Sequence, residues 1–429
     1  MKKVNVITLG CSKNLVDSER LMKKFEVAGY DLSVDKEVSD ADVVVINTCG
    51  FIGDAKEESI NTIFEQVALK NEGRIGKVFV MGCLSERYRE ELKDEIPEVD
   101  GFYGKFDWGG IMDQLGEISS EAKGCCRKLT TPSHYAYLKI AEGCNRRCSY
   151  CAIPIITGPY RSRKMEDILK EAEELVASGV KELLVIAQDL TYYGIDLYGR
   201  SRIAELVSAL SDIKGVRWIK LHYAYPINFP MDLLPVMRER DNVCKYLDIA
   251  LQHCSDHMLK MMRRGMSRKE LDALLAEIRR QVPGIHLRTT LMTGHPGETS
   301  QDYKELKDFV RTQKFERLGV FAYSHEEGTW SYNHYSDDIP KQVKVRRANG
   351  IMRLQESISA AHNQGMVGKI LEVVVDKFEG GFWIARSEFD SPEVDPEILI
   401  NSPEPLQVGE FYKVEIIDYE DYDLYAKLV

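Results

Sequence analysis

The chain has 429 residues, of which 44% are hydrophobic and 29% are charged, values ordinary for a globular protein of two or three domains. No apolar run reaches the length of a membrane span, and the run before Gly10 is too short for a signal peptide. Ten cysteines without a secretion signal favour metal ligation over disulfides. We therefore expect a soluble cytoplasmic protein that does not contact membranes.

The negative charge is concentrated near the carboxyl end. Within a net charge of −11, residues 365–429 carry five Lys or Arg against fifteen Asp or Glu, whereas residues 1–364 carry fifty-two against fifty-three. A module this acidic would repel RNA phosphates and would attract a basic protein. The alternative is an acidic surface that serves only solubility.

Three short apolar runs in the first part of the chain predict buried parallel strands, at 4–9, 42–47 and 77–81. A polar, helix-like segment follows each run, so strand and helix alternate. We therefore expect an α/β domain of flavodoxin-like type over residues 1–125. The stretch after the first strand contains no GxGxxG pattern, so a dinucleotide site is not supported.

One cysteine follows each of these three strands: Cys11, Cys49 and Cys83. Because ligand sites in open parallel sheets lie beyond the carboxyl ends of the strands, we expect the three cysteines to converge. Each also precedes a predicted helix, whose N-terminal dipole favours a thiolate. We interpret them as ligands of an iron–sulfur cluster, with three buried core cysteines as the alternative.

A second triad occurs in the C-x3-C-x2-C run formed by Cys144, Cys148 and Cys151. Three thiolates can hold three irons of a 4Fe–4S cubane and leave the fourth iron open to a small molecule. Structural zinc requires a closed set of four ligands, and a disulfide requires paired cysteines at suitable separation. The short spacing disfavours the alternative of three unrelated core cysteines.

Strand–helix alternation resumes over residues 130–364 and predicts an open, partial (β/α)6 barrel. Such barrels place their chemistry at the carboxyl ends of the strands, where Gln188, Asp189 and the 294–299 turn are found. The predicted strands are 135–140, 182–187, 218–222, 247–251, 287–292 and 319–322.

Other residues of this region receive no role in ligation or acid–base chemistry. His253 and His295 are interpreted as ordinary loop histidines, whereas Arg161 and Arg163 could neutralise a carboxylate or form a solvated edge. The remaining cysteines lack the spacing of a ligand set and are interpreted as non-ligands: Cys125, Cys126, Cys244 and Cys254.

The last 65 residues, 365–429, change to short segments rich in β-branched and aromatic residues. The pair Gly380-Gly381 marks a hairpin between the first two segments. We expect a small OB-like β-barrel. Its predicted strands are 370–378, 382–389, 397–401, 411–418 and 423–428.

The C-x3-C-x2-C run, with Tyr150 before its last cysteine, resembles the signature of the radical S-adenosylmethionine (SAM) enzymes. The resemblance implies that SAM binds the open iron and is cleaved reductively to a 5′-deoxyadenosyl radical. An electron donor such as flavodoxin or ferredoxin would be required. The resemblance places SAM contacts at Tyr150, Gln188, Asp189, Gly294 and Pro296.

In its domain order the whole chain resembles the methylthiotransferases, which add an amino-terminal domain with an auxiliary three-cysteine cluster and a carboxyl-terminal TRAM domain. The stretch GCSKNLVDSE at 10–19 resembles the RimO-type members of that family. This implies two 4Fe–4S clusters, one on each triad. The reaction implied replaces a hydrogen on the β-carbon of an aspartate in ribosomal protein S12 with a methylthio group, and SAM also donates the methyl group.

Two other functions are compatible with the same triads. A tRNA adenosine methylthiotransferase would use the same chemistry, and TRAM domains are usually described as RNA-binding, but the acidic segment 365–429 disfavours an RNA substrate. A non-catalytic iron–sulfur electron-transfer protein would lack a substrate pocket, whereas the polar strand ends at 188–191 and 294–299 indicate one.

Overall fold

The structure is a computed structural model that describes residues 1–36, 40–117 and 127–429. We refer to residues 1–117 as the N-terminal unit, 127–364 as the central unit and 365–429 as the C-terminal barrel. Cys125 and Cys126 lie outside the described residues, and so does part of the segment 119–133, whose composition predicts a linker between the first two domains. No helix in the described residues is long and apolar enough to cross a membrane.

The N-terminal unit is a parallel sheet flanked by helices. Its described elements are β1 Lys3–Thr8, α1 Ser12–Val27, β2 Asp31–Val34, β3 Ala41–Thr48, α2 Gly53–Asn71, β4 Ile75–Gly82, α3 Cys83–Glu95, β5 Gly101–Phe102 and α4 Trp108–Gln114. The strand order β2-β1-β3-β4-β5 is flavodoxin-like, as predicted. The sequence missed β2, which is at most half-buried, and β5, which has only two residues.

In the described residues, the main sheet of the central unit is open and parallel and has six strands in the order β13-β12-β11-β10-β9-β6. All six were predicted, within a few residues at their ends. The elements are β6 Tyr135–Lys139, β7 Ala141–Glu142, α5 Ile153–Thr157, β8 Arg161–Ser162, α6 Met165–Ala177, β9 Glu182–Ile186, α7 Ile195–Tyr198, α8 Ile203–Ser211, β10 Trp218–Ala224, α9 Leu233–Glu239, β11 Val243–Gln252, α10 Asp256–Met261, α11 Arg268–Gln281, β12 His286–Thr293, α12 Ser300–Gln313, β13 Arg317–Ala322, α13 Trp330–His334 and α14 Lys341–Gln364.

The carboxyl-terminal segment closes into a small barrel with the strand order β14-β15-β16-β18-β17, which confirms the predicted barrel. The strands are β14 Ile370–Glu379, β15 Phe382–Ser387, β16 Ile398–Ile400, β17 Phe411–Tyr419 and β18 Leu424–Leu428. The hairpin at Gly380 and Gly381 joins β14 to β15, and both glycines have positive φ.

The barrel is held against the amino ends of the central strands by buried charges. Glu182, the first residue of β9, accepts hydrogen bonds from Arg386 of the barrel and from Lys220 at 2.8 Å each. Arg317, the first residue of β13, pairs with Asp390 at 2.6 Å. The carboxyl ends of the same strands are therefore left free for a site.

Much of the barrel's negative charge faces the central unit. Asp390, for example, is buried, and its charge is compensated by Arg317. The count of charges in the sequence therefore overstates the acidity of the exposed surface. This corrects the expectation, based on the net charge of residues 365–429 alone, that the whole barrel surface is strongly acidic. Six of the fifteen carboxylates contact the central unit: Glu372, Asp376, Glu388, Asp390, Asp395 and Glu410.

Candidate active site

The loop that carries the C-x3-C-x2-C triad begins at a short antiparallel ribbon. In this ribbon β7 pairs with β8, so both ends of the loop are held together. Gly143 follows β7 with φ of +80°, and a Cβ there would lie 2.2 Å from the carbonyl oxygen of Pro159. Only glycine allows the loop to close in this way.

The three cysteines of this central triad lie in a short loop in which Cys144 is buried and Cys148 and Cys151 are half-buried. The Arg146 backbone N–H donates to Cys144 Sγ at 3.4 Å, and the Cys151 N–H donates to the Cys148 carbonyl at 3.2 Å. Burial, together with the charges of Asp189 and Cys148, raises the pKa of Cys144 to about 12. Metal binding would relieve this cost, because the thiolate is the ligand form.

No three His, Cys, Asp or Glu side chains among the described residues surround the position of a single metal ion. A cubane cluster makes a different demand, because each cysteine binds a separate iron at a separate corner. The spacing of the central triad and its thiol donors therefore fit a 4Fe–4S cluster better than a mononuclear site.

A cation and two phenols surround the middle cysteine of the central triad. Arg264 Nη1 donates to Cys148 Sγ at 3.2 Å and to Tyr150 Oη at 3.1 Å. Tyr225 Oη lies 3.4 Å from Cys148 Sγ. Donors and positive charge aimed at a cysteine sulfur are the surroundings that an anionic cluster requires.

Gln188 and Asp189 follow β9 and lie beside the central triad. Asp189 accepts a hydrogen bond from Arg146 Nε at 2.6 Å, and Gln188 Nε2 donates to Glu142 at 2.8 Å. The buried Oε1 of Gln188 has no hydrogen-bond partner among the described residues. An unpaired buried acceptor of this kind is suited to a ligand's ammonium or hydroxyl group.

The 294–299 turn after β12 packs onto the loop of the central triad. Gly294 has φ of +77°, and a Cβ there would lie 2.2 Å from Lys344 Cγ. His295 Nε2 lies 3.1 Å from Ser149 Oγ, while its Nδ1 faces the Pro296 carbonyl at 3.0 Å. Gly294 and Pro296 therefore lie on a segment fixed to the cysteine loop, and their contact with SAM stays a prediction.

Glycines bring together the strand ends that carry Cys11, Cys49 and Cys83, which we call the auxiliary triad. Gly10 has φ of +92°, and a Cβ there would lie 2.8 Å from Cys49 Cβ. Gly82 has φ of +100°, and a Cβ there would lie 2.4 Å from Asn47 Oδ1. Larger residues would push the strand ends apart.

Asn14 holds the three strand ends in place. Its Nδ2 donates to the carbonyls of Leu9 at 3.0 Å and Thr48 at 3.1 Å, after β1 and at the end of β3. Its Oδ1 accepts from the Cys83 thiol at 3.5 Å. The structure thus brings together the three strand ends as the sequence predicted.

Burial opposes the thiolate form at two of the three cysteines whose thiolates the helix dipoles are expected to favour. Desolvation raises the pKa of Cys49 and raises the pKa of Cys83 to about 12, because both thiols are buried. At Cys11 desolvation is the largest single effect, but the Lys13 and Lys105 ammonium groups and the backbone N–H groups of Lys13 and Asn14 together outweigh it and lower the pKa of the thiol. The contribution of the helix dipoles to the three thiols stays a prediction.

A buried charge network connects the N-terminal and central units beside both triads. Lys105, after β5, lies 3.3 Å from Glu142 and 3.8 Å from Asp17, and Lys139 pairs with the same two carboxylates. Although burial opposes ionisation, Lys139 and Lys105 lower the pKa of Glu142 to about 2. The network joins α1, which starts after Cys11, to the start of the central cysteine loop.

The two triads face each other across the boundary between units. Cys83 packs in an apolar cluster with Ala152 and Ile156, directly after the last cysteine of the central triad. Lys13 Nζ lies 3.0 Å from the centre of the Tyr223 ring at the end of β10. The N-terminal unit therefore contacts both the segment after the central triad and the carboxyl end of β10.

The two histidines His253 and His295 are buried and hydrogen-bonded to neighbouring residues. His253 is fully buried, and its Nδ1 accepts from the backbone N–H groups of Cys254 and Ser255 at 2.9 and 3.1 Å. Burial lowers the pKa of His295 to about 4, so it is neutral at pH 7. The interpretation of both as ordinary loop histidines stays a prediction.

The remaining cysteines and arginines also have structural surroundings. Cys254 lies in the main hydrophobic core, and Cys244 packs with aromatic residues against the barrel. Arg163 pairs with the buried Glu171 at 2.6 Å, whereas Arg161 is exposed. Of the two roles left open for these arginines, Arg163 neutralises a carboxylate and Arg161 forms a solvated edge.

Sequence reasoning did not find three residues that shape the site: Asn14, Lys105 and Arg264. Each acts through contacts distant in sequence, such as Arg264 with Cys148, 116 positions apart. Asn14 lies inside the 10–19 stretch, so it was flagged without a role. Lys105 and Arg264 have no local pattern that distinguishes them from surface cations.

Three protein-family models match consecutive parts of the chain. They are the uncharacterized protein family UPF0004 at residues 3–104, the radical SAM superfamily at 138–310 and the TRAM domain at 367–429. Together with the open barrel and its cysteine loop, these matches define the class: a radical SAM enzyme. Membership of that class implies SAM and one 4Fe–4S cluster.

Full-length relatives are more specific. The chain is 60% identical to "Ribosomal protein uS12 methylthiotransferase RimO" of Parabacteroides distasonis over 427 residues, which cover 100% of this chain and 99% of the relative. It is 58% identical to the protein of the same name from Bacteroides thetaiotaomicron, with 100% and 98% covered. The chain belongs to the RimO family of ribosomal protein uS12 methylthiotransferases.

Solved structures agree on the fold. The radical S-adenosylmethionine methyltransferase TsrM from Kitasatospora setae matches with a TM-score of 0.56 and 13% identity, over 75% of this chain and 72% of that one. The cobalamin-dependent S-adenosylmethionine radical enzyme OxsB matches with a TM-score of 0.52 and 12% identity, over 82% and 56%. At these identities the similarity concerns the fold alone.

Proposed function

We propose that this chain methylthiolates the β-carbon of an aspartate in ribosomal protein S12. The observation that carries the proposal is the meeting of two cysteine triads across one boundary, with Cys83 packed on Ala152 and Ile156. A single chamber between them would bring a sulfur source and a radical source to the same carbon. The names of the full-length relatives supply the substrate.

The central triad would hold the cluster at which SAM is cleaved. Cys144, Cys148 and Cys151 provide three ligands and leave one iron for the amino and carboxylate groups of SAM. When bound, the 4Fe–4S cluster supplies the electron that cleaves SAM to methionine and a 5′-deoxyadenosyl radical. This radical abstracts hydrogen from the substrate. Gln188 would orient SAM through its unpaired buried Oε1.

The auxiliary triad would hold a second 4Fe–4S cluster that presents the sulfur to be methylated by another SAM and transferred. Cys11, Cys49 and Cys83 would be its ligands. Lys105 supports this role, because its buried ammonium exerts an attractive electrostatic effect on the thiolate forms of all three cysteines. A buried cation would offset the negative charge of the cluster and its sulfur.

The surface of the C-terminal barrel suits a basic protein better than an RNA. Its only arginine, Arg386, is buried against Glu182, so the exposed cations of the barrel are all lysines. Exposed carboxylates instead occupy the β17–β18 hairpin, at Asp418, Glu420 and Asp421. RNA affinity depends chiefly on Lys and Arg contacts to phosphates, and this surface has few. The exposed lysines are Lys369, Lys377, Lys413 and Lys427.

Two further requirements follow from the chemistry. A low-potential one-electron donor, such as flavodoxin or ferredoxin, would reduce the central cluster. Because the substrate is a ribosomal protein, the enzyme would act in the cytoplasm.

The decisive experiment offers both candidate substrates to the anaerobically reconstituted and reduced enzyme with SAM. One reaction contains ribosomal protein S12 and the other contains unmodified tRNA, and mass spectrometry detects a methylthio gain on each. We expect the gain on S12 alone. A gain on tRNA alone would reject the proposed substrate while keeping the two-cluster chemistry.

A further inference from the structure

Arg264 lies directly behind the central cysteine loop. It belongs to the turn between α10 and α11, and the Ser149 N–H donates to the Met262 carbonyl of that turn at 3.0 Å. The guanidinium is buried and donates through Nη1 to Cys148 Sγ at 3.2 Å. Through Nη2 it donates to the Ala250 carbonyl on β11. A strand of the barrel thus fixes the cation against a cysteine sulfur.

The charge of Arg264 has no acidic partner. Four arginines in the described part of the chain are buried, and three of them pair with carboxylates: Arg127, Arg317 and Arg386. No carboxylate oxygen of the described residues lies within 4.0 Å of Arg264 nitrogens, and the groups that act on its charge are Tyr150, Cys148 and Tyr225. An unpaired buried charge is costly, so the site is electrostatically incomplete without an anion at Cys148.

Arg146 provides an internal comparison. Its guanidinium lies 4.3 Å from the centre of the Tyr225 ring, and that of Arg264 lies 4.2 Å from the same centre. Arg146, however, is neutralised by Asp189 at 2.6 Å. Of these two cations beside the cysteine loop, only Arg264 keeps an uncompensated charge directed at a sulfur.

We propose that Arg264 is the counter-charge of the cluster on Cys144, Cys148 and Cys151, and that it raises the reduction potential of that cluster. The inference rests on the proposed function, since it requires a cluster on this triad. Reduction adds one electron from the donor and one negative charge to the cluster. A fixed cation and an N–H···S hydrogen bond stabilise the reduced state more than the oxidised state.

This is a positioning role, because Arg264 acts through Cys148 and not on the substrate. A purely structural role, through Tyr150 and Ala250, predicts weaker folding or cluster loss but no change in the potential of the clusters that form. Arg264→Gln removes the charge, and Arg264→Lys keeps it on a different geometry. The two variants therefore separate charge from packing.

The test uses the full chain with Cys11, Cys49 and Cys83 replaced by Ala, so that one cluster is present. Iron content is measured first, and an EPR-monitored redox titration then gives the midpoint potential. We expect Arg264→Gln to shift the reduction equilibrium at least tenfold toward the oxidised state, which is 59 mV for one electron. Arg264→Lys should give an intermediate value.

Arg263→Gln is the matched control, because it removes the adjacent, exposed cation, which lies over Trp330 and touches no cysteine. Its midpoint potential should equal that of the parent protein. An unchanged potential in Arg264→Gln at full iron content would overturn the inference. If Arg264→Gln does not fold, as judged by circular dichroism, Arg264→Met, which also removes the charge, is titrated in its place, and an unchanged potential at full iron content would overturn the inference.

Failure of the cluster assignment on which the proposed function rests would look different. In that case the parent protein with the intact central triad would bind no cluster, and no potential could be measured for any variant. A bound cluster with unaltered potential in both Arg264 variants would instead reject only the role of Arg264.

Discussion

The two cysteine triads reach similar chemistry by opposite routes. The central triad lies within one eight-residue stretch, Cys144 to Cys151, so local sequence sets its spacing. The auxiliary triad collects Cys11, Cys49 and Cys83 from the ends of β1, β3 and β4, so the sheet sets its spacing. The geometry of the central triad depends on one loop, whereas that of the auxiliary triad depends on the fold of the whole sheet. Substitutions should therefore affect the two triads differently.

The largest expected effect tests the role of the central triad in SAM cleavage. Cys148→Ala should abolish cleavage of SAM after reduction, because the middle ligand of the central triad is lost. One cluster should remain, on the auxiliary triad. Iron analysis and chromatography of 5′-deoxyadenosine measure the two outcomes. Undiminished SAM cleavage would show that the central triad does not do this chemistry.

The converse substitution tests the auxiliary side. Cys49→Ala should retain SAM cleavage and stop methylthio transfer to S12, because the sulfur source is lost while the radical source is intact. Mass spectrometry of S12 and quantification of 5′-deoxyadenosine in the same reaction separate the two activities. Cys244→Ala is a suitable control, since that cysteine lies in an apolar cluster away from both triads. Methylthiolation by Cys49→Ala would rule out its role as a ligand.

The network that joins the triads can be tested without any cluster. Lys105→Met should lower the free energy of unfolding of the metal-free protein by about 3–5 kcal/mol, because it leaves Asp17 and Glu142 to share Lys139. Urea unfolding provides the measurement. Lys93→Met breaks only the exposed pair with Glu90 and should cost at most about 1 kcal/mol. Equal losses in both variants would contradict the network's role.

The far end of the central strands should respond to acid independently of both triads. Burial opposes ionisation of Glu182, but Arg386 and Lys220 lower its pKa to about 2 from 4.5. Its contribution, about 3 kcal/mol, is present above pH 4.5 and is lost as the pH falls toward 2. Glu182→Gln should flatten the decrease in stability over this range. A curve as steep as that of the parent would refute the assignment.

The smallest effect concerns the close approach of the strand ends. Gly82→Ala introduces positive-φ strain and a Cβ 2.4 Å from Asn47 Oδ1, whereas Gly73→Ala introduces similar strain with nothing within 4 Å. The difference between the two variants should be about 1–3 kcal/mol in unfolding free energy. Auxiliary iron should also fall in Gly82→Ala alone. Matching values for the two variants would show that the strand ends have room to separate.

The comparison also explains what the sequence could predict. The spacing of Cys144, Cys148 and Cys151 can be seen directly in the sequence. The convergence of the three strand-end cysteines follows from the rule that ligand sites in parallel sheets lie beyond the carboxyl ends of the strands. Lys105 and Arg264 could not be predicted, because a buried cation differs from a surface cation only in its long-range contacts. The acidity of the exposed surface of the C-terminal barrel was overestimated for the same reason, since pairs such as Arg317 with Asp390 form between units.

The central claim is that two separately built clusters share one chamber. EPR spectroscopy of the reduced, reconstituted enzyme tests it most directly, by comparing the parent spectrum with those of Cys148→Ala and Cys49→Ala. We predict that the parent spectrum shows magnetic coupling between two reduced clusters and that either substitution removes it. A parent spectrum equal to the sum of the two single-cluster spectra would contradict the account.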